Sequence, residues 1–450
     1  MQGQPHEHST PGTPTRCNGD ASTAGSPPGS SPARPTSTQV LRAHIVANVL
    51  IQSVWFGISQ IMAVLARKRF GAGDWQTLAI TAAGPTLMVF SIFWNDLLRR
   101  ISLRRYLVIH WACTMVPLAC AAFAQNFWFL LGCHLLASSG AAGWSPIAGD
   151  LLKRFYDDRV RGRAFALVNG AMFLGMTLAS YAVGKALDVH QDVFRIYLPA
   201  AAASYAAGVL ILRRLLAATG ADDERALSGG TARLSTLRSL LAPVVHMNDV
   251  LRGDRVFARY EAAFMTYGMG WMICNALLPI LATDRLKMSY TEFAGSTQMV
   301  YPLCLLAMIY PMGWLVDRIG PTRTSVASFA WLALYPLGLL LAHSVPAVAV
   351  ATIVYGTAMA GVHIAWMLGP VSLAPSPDKV AQYVAIHATL VGIRGIVAQG
   401  LGMLIYRLTG SFTWPLATAA IGFAWASWQM WRLQALMSNA APPANLVPES

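Results

Sequence analysis

The feature that most limits this chain is a series of long apolar segments separated by short polar connections. Twelve can be placed, near residues 43–66, 75–98, 103–124, 127–152, 162–187 and 193–214, then near 256–283, 289–316, 322–343, 346–373, 380–406 and 411–434. Each holds at least the roughly 20 residues that a helix needs to cross the ~30 Å hydrocarbon core of a bilayer. Composition agrees: of 450 residues 55% are hydrophobic and 12% charged, against about 25% charged in an average soluble domain. A soluble fold could not hide that much apolar surface. The expectation is an all-α membrane protein with twelve transmembrane helices.

Basic residues set the orientation. The formal charge is +13, and in a soluble protein such an excess would suggest nucleic acid. Here about three-quarters of the Lys and Arg fall on one side of the spans, in the tail and in loops such as Arg99 to Arg105, Lys153 to Arg163 and Arg213 to Arg259, which the positive-inside rule assigns to the cytoplasm. Both termini are therefore expected in the cytoplasm of an inner or plasma membrane, with no nucleic-acid partner. Residues 1–38 are rich in Pro, Ser, Thr and Gly, lack an apolar h-region, and read as a disordered cytoplasmic tail. Residues 43–214 form the first set of six spans, 215–255 a cytoplasmic linker, 256–434 the second set, and 435–450 a disordered C-terminal tail. Within the linker Leu234, Leu237, Leu240 and Leu241 recur at helical spacing between Arg233 and Arg238, as in an amphipathic helix on the inner membrane surface. Six cysteines show no CxxC spacing and read as buried small hydrophobes.

The stretch Gly313-Trp314-Leu315-Val316-Asp317-Arg318-Ile319-Gly320-Pro321-Thr322-Arg323 joins the eighth and ninth spans through about five residues, which only a tight turn can bridge. Gly313 is expected to let two helices approach closely and Gly320 to take a left-handed or strained conformation. Asp317 can accept hydrogen bonds from a helix N-terminus, while Arg318 and Arg323 face headgroups. This pattern resembles the signature loop of the major facilitator superfamily, which joins the second and third helices of a six-helix half and often recurs between the eighth and ninth. The resemblance implies two pseudo-symmetric six-helix bundles around a midplane cavity that opens alternately to each side. The earlier loop, Asn95 to Arg105, keeps its basic residues but lacks the glycines and carries Arg99 where the aspartate belongs. Arg161, in Arg159-Val160-Arg161-Gly162-Arg163, matches the family's basic fourth loop, and the resemblance implies pairing with Asp150 or with acidic residues of the second loop. His134 falls where many members carry an arginine. Asn169 to Asp188 contains no proline, unlike the fifth-span signature of drug/proton antiporters.

Arg394 is the most informative single residue. It lies about halfway along the eleventh span, where a charged side chain costs ~2.5–3.5 kcal/mol even on lenient insertion scales. His387 and Tyr383 lie within about 40° of it on a helical wheel, making one polar stripe. Arg394 is expected to bind an anionic group of the substrate, with His387 supplying a hydrogen bond or a proton. The structural alternative is a permanent Arg394–Glu261 pair inside the C-terminal half. Other cavity candidates recur at helical spacing: Asn48, Gln52, Trp55 and Ser59 in the first span, Asn169, Phe173 and Met176 in the fifth, Tyr267, Trp271 and Asn275 in the seventh. Gln298 and Tyr301 in the eighth and Tyr355, Met359 and His363 in the tenth complete the set. Glu261, beside Arg259, is expected to be a proton carrier or an interfacial ion pair, and His134 is a second candidate for proton coupling.

The sequence contains no glycine-rich phosphate loop with lysine, no HExxH and no nucleophilic triad that spacing supports, so no enzyme, ATP site, cofactor or metal is expected. The expected function is secondary transport of a small-molecule substrate, a small organic anion, by a monomer in the lipid bilayer. An exporter of amphipathic or drug-like compounds and a non-transporting membrane sensor or scaffold are the alternatives.

Overall fold

The computed structural model describes residues 36–220, 247–376 and 379–440, and among these every regular element is helical. The expected amphipathic helix of the linker lies outside the described residues, as do most of the two tails. In the first half, α1 joins Ser37–Asn48, a π-turn at Val49–Ser53 and Val54–Phe70. α2 joins Asp74–Leu87, the 3-10 turn Met88–Phe90 and Ser91–Arg100. α3 is Leu103–Cys120, α4 joins Phe127–Ala141 and Trp144–Phe155, α5 is Asp158–Val189 and α6 is Phe194–Thr219.

A short helix, Met247–Gly253, leads into α7, Arg255–Ile280. α8 starts with Tyr290–Phe293 and a π-turn at Ala294–Met299 and runs into Val300–Leu332. Gly320 breaks that last stretch, so the part after it, with Leu334–Leu341, is α9. α10 is Val345–Leu373, α11 Val380–Thr409 and α12 Thr413–Ala440. Twelve passes return the chain to the face it started from. Eight described stretches are long and apolar enough to cross a membrane, and one of these, Tyr290–Leu341 with 52 residues, holds both α8 and α9.

Several helices outrun their apolar cores. α1 opens at Ser37, ahead of the apolar run, because Thr36 and Gln39 form a capping box: Thr36 Oγ1 accepts from Gln39 N (3.3 Å) and Gln39 Oε1 from Thr36 N (2.9 Å). The α8–α9 connection is tighter than five residues. Gly320 alone leaves helical geometry, at φ 82° and ψ 162°, a conformation that a Cβ disfavours. Two expectations for this loop are corrected. A Cβ at Gly313 would meet nothing within 4 Å, so no helix presses against it here. Asp317 is exposed and bonds none of the described residues. Arg318 instead lays its guanidinium over the Trp314 ring at 4.3 Å, and Arg323 is exposed.

The two halves meet most tightly at the face away from the chain ends. Arg67, at the end of α1, donates to Asp74 (3.1 Å), Thr77 (3.0 Å) and Thr283 (3.0 Å) and also pairs with Asp284. Arg407 of α11 reaches back to Asp74 at 3.0 Å, and Lys68 donates to the Met288 carbonyl while lying over the Tyr290 ring. Asp188, one residue before the end of α5, caps α8 from the other half, accepting from Tyr290 N (2.8 Å) and Thr291 N (2.7 Å). Deeper in, Pro85 has no N–H to give the Thr81 carbonyl four residues earlier. Gln399 of α11 fills that vacancy, donating to Thr81 O at 3.4 Å and accepting from Thr81 Oγ1 at 2.9 Å.

These contacts close one entrance to the space between the halves. Arg67→Ala is expected to raise several-fold the rate at which an impermeant maleimide, supplied from the face away from the chain ends, labels a cysteine placed at Gln298 in a cysteine-free background. An unchanged rate would mean that the Arg67 cluster does not hold this entrance shut.

Candidate functional site

The site is built on the seam between α7 and α11. Along α7 the residues Glu261, Phe264, Tyr267 with Gly268, and Trp271 succeed one another at helical spacing, and α11 faces them with His387 and Arg394. Arg394 is 3% exposed. Its Nη1 donates to the Phe264 carbonyl at 2.7 Å and its guanidinium carbon lies 5.2 Å from the centre of the Tyr267 ring. The slot exists because residue 268 is glycine: a Cβ there would stand 2.1 Å from Arg394 Cζ. Nε has no hydrogen-bond partner among the described residues. A buried donor left unmade costs about 1–3 kcal/mol, more on a charged group, so this guanidinium is held in place without being satisfied.

One to two turns away, His387 Nδ1 lies 2.9 Å from both carboxylate oxygens of Glu261, and both side chains are 3% exposed. This corrects two expectations. Glu261 is neither interfacial nor paired with Arg394, because six residues of α7 bring it below the surface and α11 presents an imidazole at that level. The ring is packed edge-on by Phe264 (5.4 Å) and Trp366 (5.3 Å), and His387 Nε2 has no partner among the described residues.

The other candidates divide into those joined to this seam and those that are not. Trp271 Nε1 donates to Tyr355 OH at 2.7 Å, and Tyr355 stacks on Tyr301 (5.0 Å) and lies tilted against Tyr335 (4.7 Å), so α7, α8, α9 and α10 share one aromatic group. Tyr267 stacks on Phe329 at 4.7 Å. His363 stacks on Trp366 and is exposed, roughly 110° around α10 from the row of exposed apolar residues Val350, Ile353, Leu368 and Val371. Met359 is buried, Asn275 is half-buried, and Gln298, buried in the π-turn of α8, donates to Thr297 Oγ1 at 3.1 Å. Tyr383 belongs elsewhere: its hydroxyl donates to Asp254 Oδ2 (2.8 Å), the cap of α7, at the chain-end face.

In the first half the polar candidates serve helix packing. Asn48 Nδ2 donates to Val168 O (3.4 Å) across α1 and α5, Ser59 and Asn169 bond carbonyls of their own helices, and Gln52 is buried in the π-turn. Trp55 and Phe173 are half-buried and packed against the core of the bundle, and Met176 is buried. His134 Nε2 lies 3.2 Å from the Ile80 carbonyl, bolting α4 to α2. Arg161 donates to the Tyr156 carbonyl at 3.3 Å, while Asp150 pairs with Arg154. The side chain of Arg99 lies outside the described set. Sequence reasoning missed His44, His110 and Gln399. The first two are buried against Tyr156 OH (3.0 Å) and Tyr205 OH (3.2 Å). Only Gln399 had a readable signal, an amide five residues beyond Arg394 in a long apolar span.

His387→Ala would strand the Glu261 carboxylate and is expected to cost about 3–5 kcal/mol of stability, read as a fall in Tm of the purified protein. The joint Glu261→Gln, His387→Gln variant should recover most of that loss. Equal Tm values for the wild type and His387→Ala would show that the pair holds nothing together.

The major facilitator superfamily model matches residues 44–308 and 261–445. No curated protein matches the sequence. Among solved structures, a peptide transporter of the POT family in complex with alafosfalin is similar, with 15% identity, a TM-score of 0.69, and cover of 89% of this chain and 94% of that one. A POT family transporter in complex with 5-aminolevulinic acid gives 14%, 0.63, 89% and 95%, and a nucleoside transporter 14%, 0.66, 88% and 99%. At such identities the likeness is one of fold. The family match, which spans nearly the whole chain, agrees with twelve helices in two bundles, and this integral membrane protein belongs to the major facilitator superfamily.

Proposed function

We propose that the protein is a secondary transporter that moves a small organic anion by alternating access, with Arg394 as the anion's partner. The observation that carries this reading is the guanidinium in the middle of α11, buried, wedged beside Gly268, with Nε unpartnered. A cation held at that depth without full hydrogen bonding supports a site that an incoming carboxylate or phosphate completes. The His387–Glu261 pair supports coupling, because a proton taken up there offsets the negative charge that the cargo brings. His134, bonded to a backbone carbonyl, is the weaker coupling candidate. Tyr267, Trp271, Tyr301 and His363 flank the cargo in this reading, and Gln52, Asn169, Asn275 and Gln298 contribute when the halves rearrange.

The loop basics point to the chain-end face as cytoplasmic. With the opposite entrance closed by the Arg67 and Asp188 contacts, the cavity then communicates with the cytoplasm. Gly320 and the exposed Asp317, Arg318 and Arg323, together with Arg99 and Arg161, form the parts that meet when that side shuts. The Trp271–Tyr355–Tyr301 group favours a second reading, in which the cargo carries a flat apolar part as well as its charge, as an exported amphipathic compound would.

Uptake into proteoliposomes tests the anion reading. Arg394→Ala is expected to raise the apparent KM for a transported carboxylate or phosphorylated metabolite at least tenfold, with Arg394→Lys retaining part of the affinity. An alanine variant that folds, keeps its Tm and transports with unchanged KM would take Arg394 out of the binding site.

A further inference from the structure

On the outer side of the first half, α1, α5 and α6 enclose a cleft of about 360 Å³. Its floor is Ile61 and Leu65 of α1, both 2% exposed, and its walls are Ala182 and Leu187 of α5 and Ile196 and Ala200 of α6. The mouth is open: Ile196 is 73% exposed, and Ala182 and Ala200 are exposed beside it. Every lining side chain is apolar except Tyr197, whose hydroxyl is buried with no hydrogen-bond partner among the described residues.

Depth identifies the occupant. On α5 the lining runs from Ala179, deep in the helix, to Leu187, two residues short of its end at Val189. At 1.5 Å per residue this spans roughly 12 Å, close to half of the ~30 Å hydrocarbon core. The cleft therefore reaches from the headgroup level of one leaflet to about the midplane. At its headgroup end two half-exposed cations flank Phe194, a wall residue: Arg195 lies over its ring at 5.1 Å, and Arg69 lies over Phe70, which packs edge-on against Phe194 at 5.7 Å. Arg69 and Arg195 share a single carboxylate, Asp192, at 3.1 and 3.4 Å, and Arg195 also donates to the Ala122 and Ala124 carbonyls at 2.9 and 3.1 Å, so the two guanidiniums are fixed in place with one net positive charge between them.

We infer that this cleft is a phospholipid site: one acyl chain of the leaflet away from the chain ends lies in the α1–α5–α6 cleft, and the lipid phosphate is held at the Arg195–Arg69 rim. An acyl chain fits a leaflet-deep apolar slot, and a residual cation at its mouth selects an anionic headgroup. The site stands apart from the α7–α11 seam and does not depend on what the protein carries. It does touch the moving parts, because Leu187 in its wall is next to Asp188, which caps α8 across the closed entrance.

The test is native mass spectrometry of the full-length, delipidated protein titrated with phosphatidylglycerol and, separately, with phosphatidylcholine of the same chains. The wild type is expected to retain one phosphatidylglycerol through detergent exchange, with at least fivefold preference over phosphatidylcholine. Ala182→Phe, which fills the cleft, should lower retention of both lipids at least fivefold. Arg195→Gln should remove the headgroup preference and keep a bound lipid. Ala200→Phe fills the same space from α6 and serves if Ala182→Phe does not fold. Retention in a folded cleft-filling variant equal to that of the wild type, or no retained lipid in the wild type, would overturn the assignment.

Discussion

Hydrocarbon offers no partner to a peptide N–H or C=O, and this single constraint governs the molecule. It makes every described element a helix, and it also says where a helix can afford to fail. α1 and α8 carry π-turns where neighbouring helices bury them. At α1 the cover is explicit: Ser204 of α6 donates to the Leu50 carbonyl inside the π-turn at 3.1 Å. The same rule explains why small and hydroxylated residues collect on inward faces, since in lipid helices adhere through close packing and hydrogen bonds and not through hydrophobic burial.

Charge follows the opposite logic, being tolerated only where geometry compensates it. At the face away from the chain ends, Arg67, Asp74, Asp284 and Arg407 alternate in sign, so each ion meets at least one counterion. At the midplane, by contrast, Arg394 receives a backbone carbonyl and an aromatic face, while the nearby carboxylate is spent on His387. The first arrangement closes a door. The second leaves a buried donor unmade, and this difference between a finished network and an unfinished one supports the proposal that Arg394 belongs to the site.

Much of this was legible in the residues. Twelve helices followed from segment length, the left-handed corner from Gly320, and the depth of Arg394 from an arginine amid apolar neighbours. Helix ends were less legible, because capping at Thr36 and Asp254 depends on local bonds outside the apolar runs. Partner choice was not legible at all. Glu261, placed by its neighbour Arg259 at the interface, is buried 2.9 Å from a histidine 126 residues away. The wheel that put Tyr383 beside His387 and Arg394 was sound about direction but silent about depth, and depth gives Tyr383 to Asp254. Gly268 could not be recognised as a slot without knowing which side chain would enter it.

Pro85 has a consequence for motion. A proline in a transmembrane helix is usually discussed as a kink, yet here it turns the oxygen of Thr81 into a docking point for Gln399 on the opposite bundle. Because that oxygen is not needed by α2 itself, releasing Gln399 would uncoil no turn. The seam between α2 and α11 is thus pinned by an amide that neither helix needs for its own backbone, so parting the two would leave each helix intact.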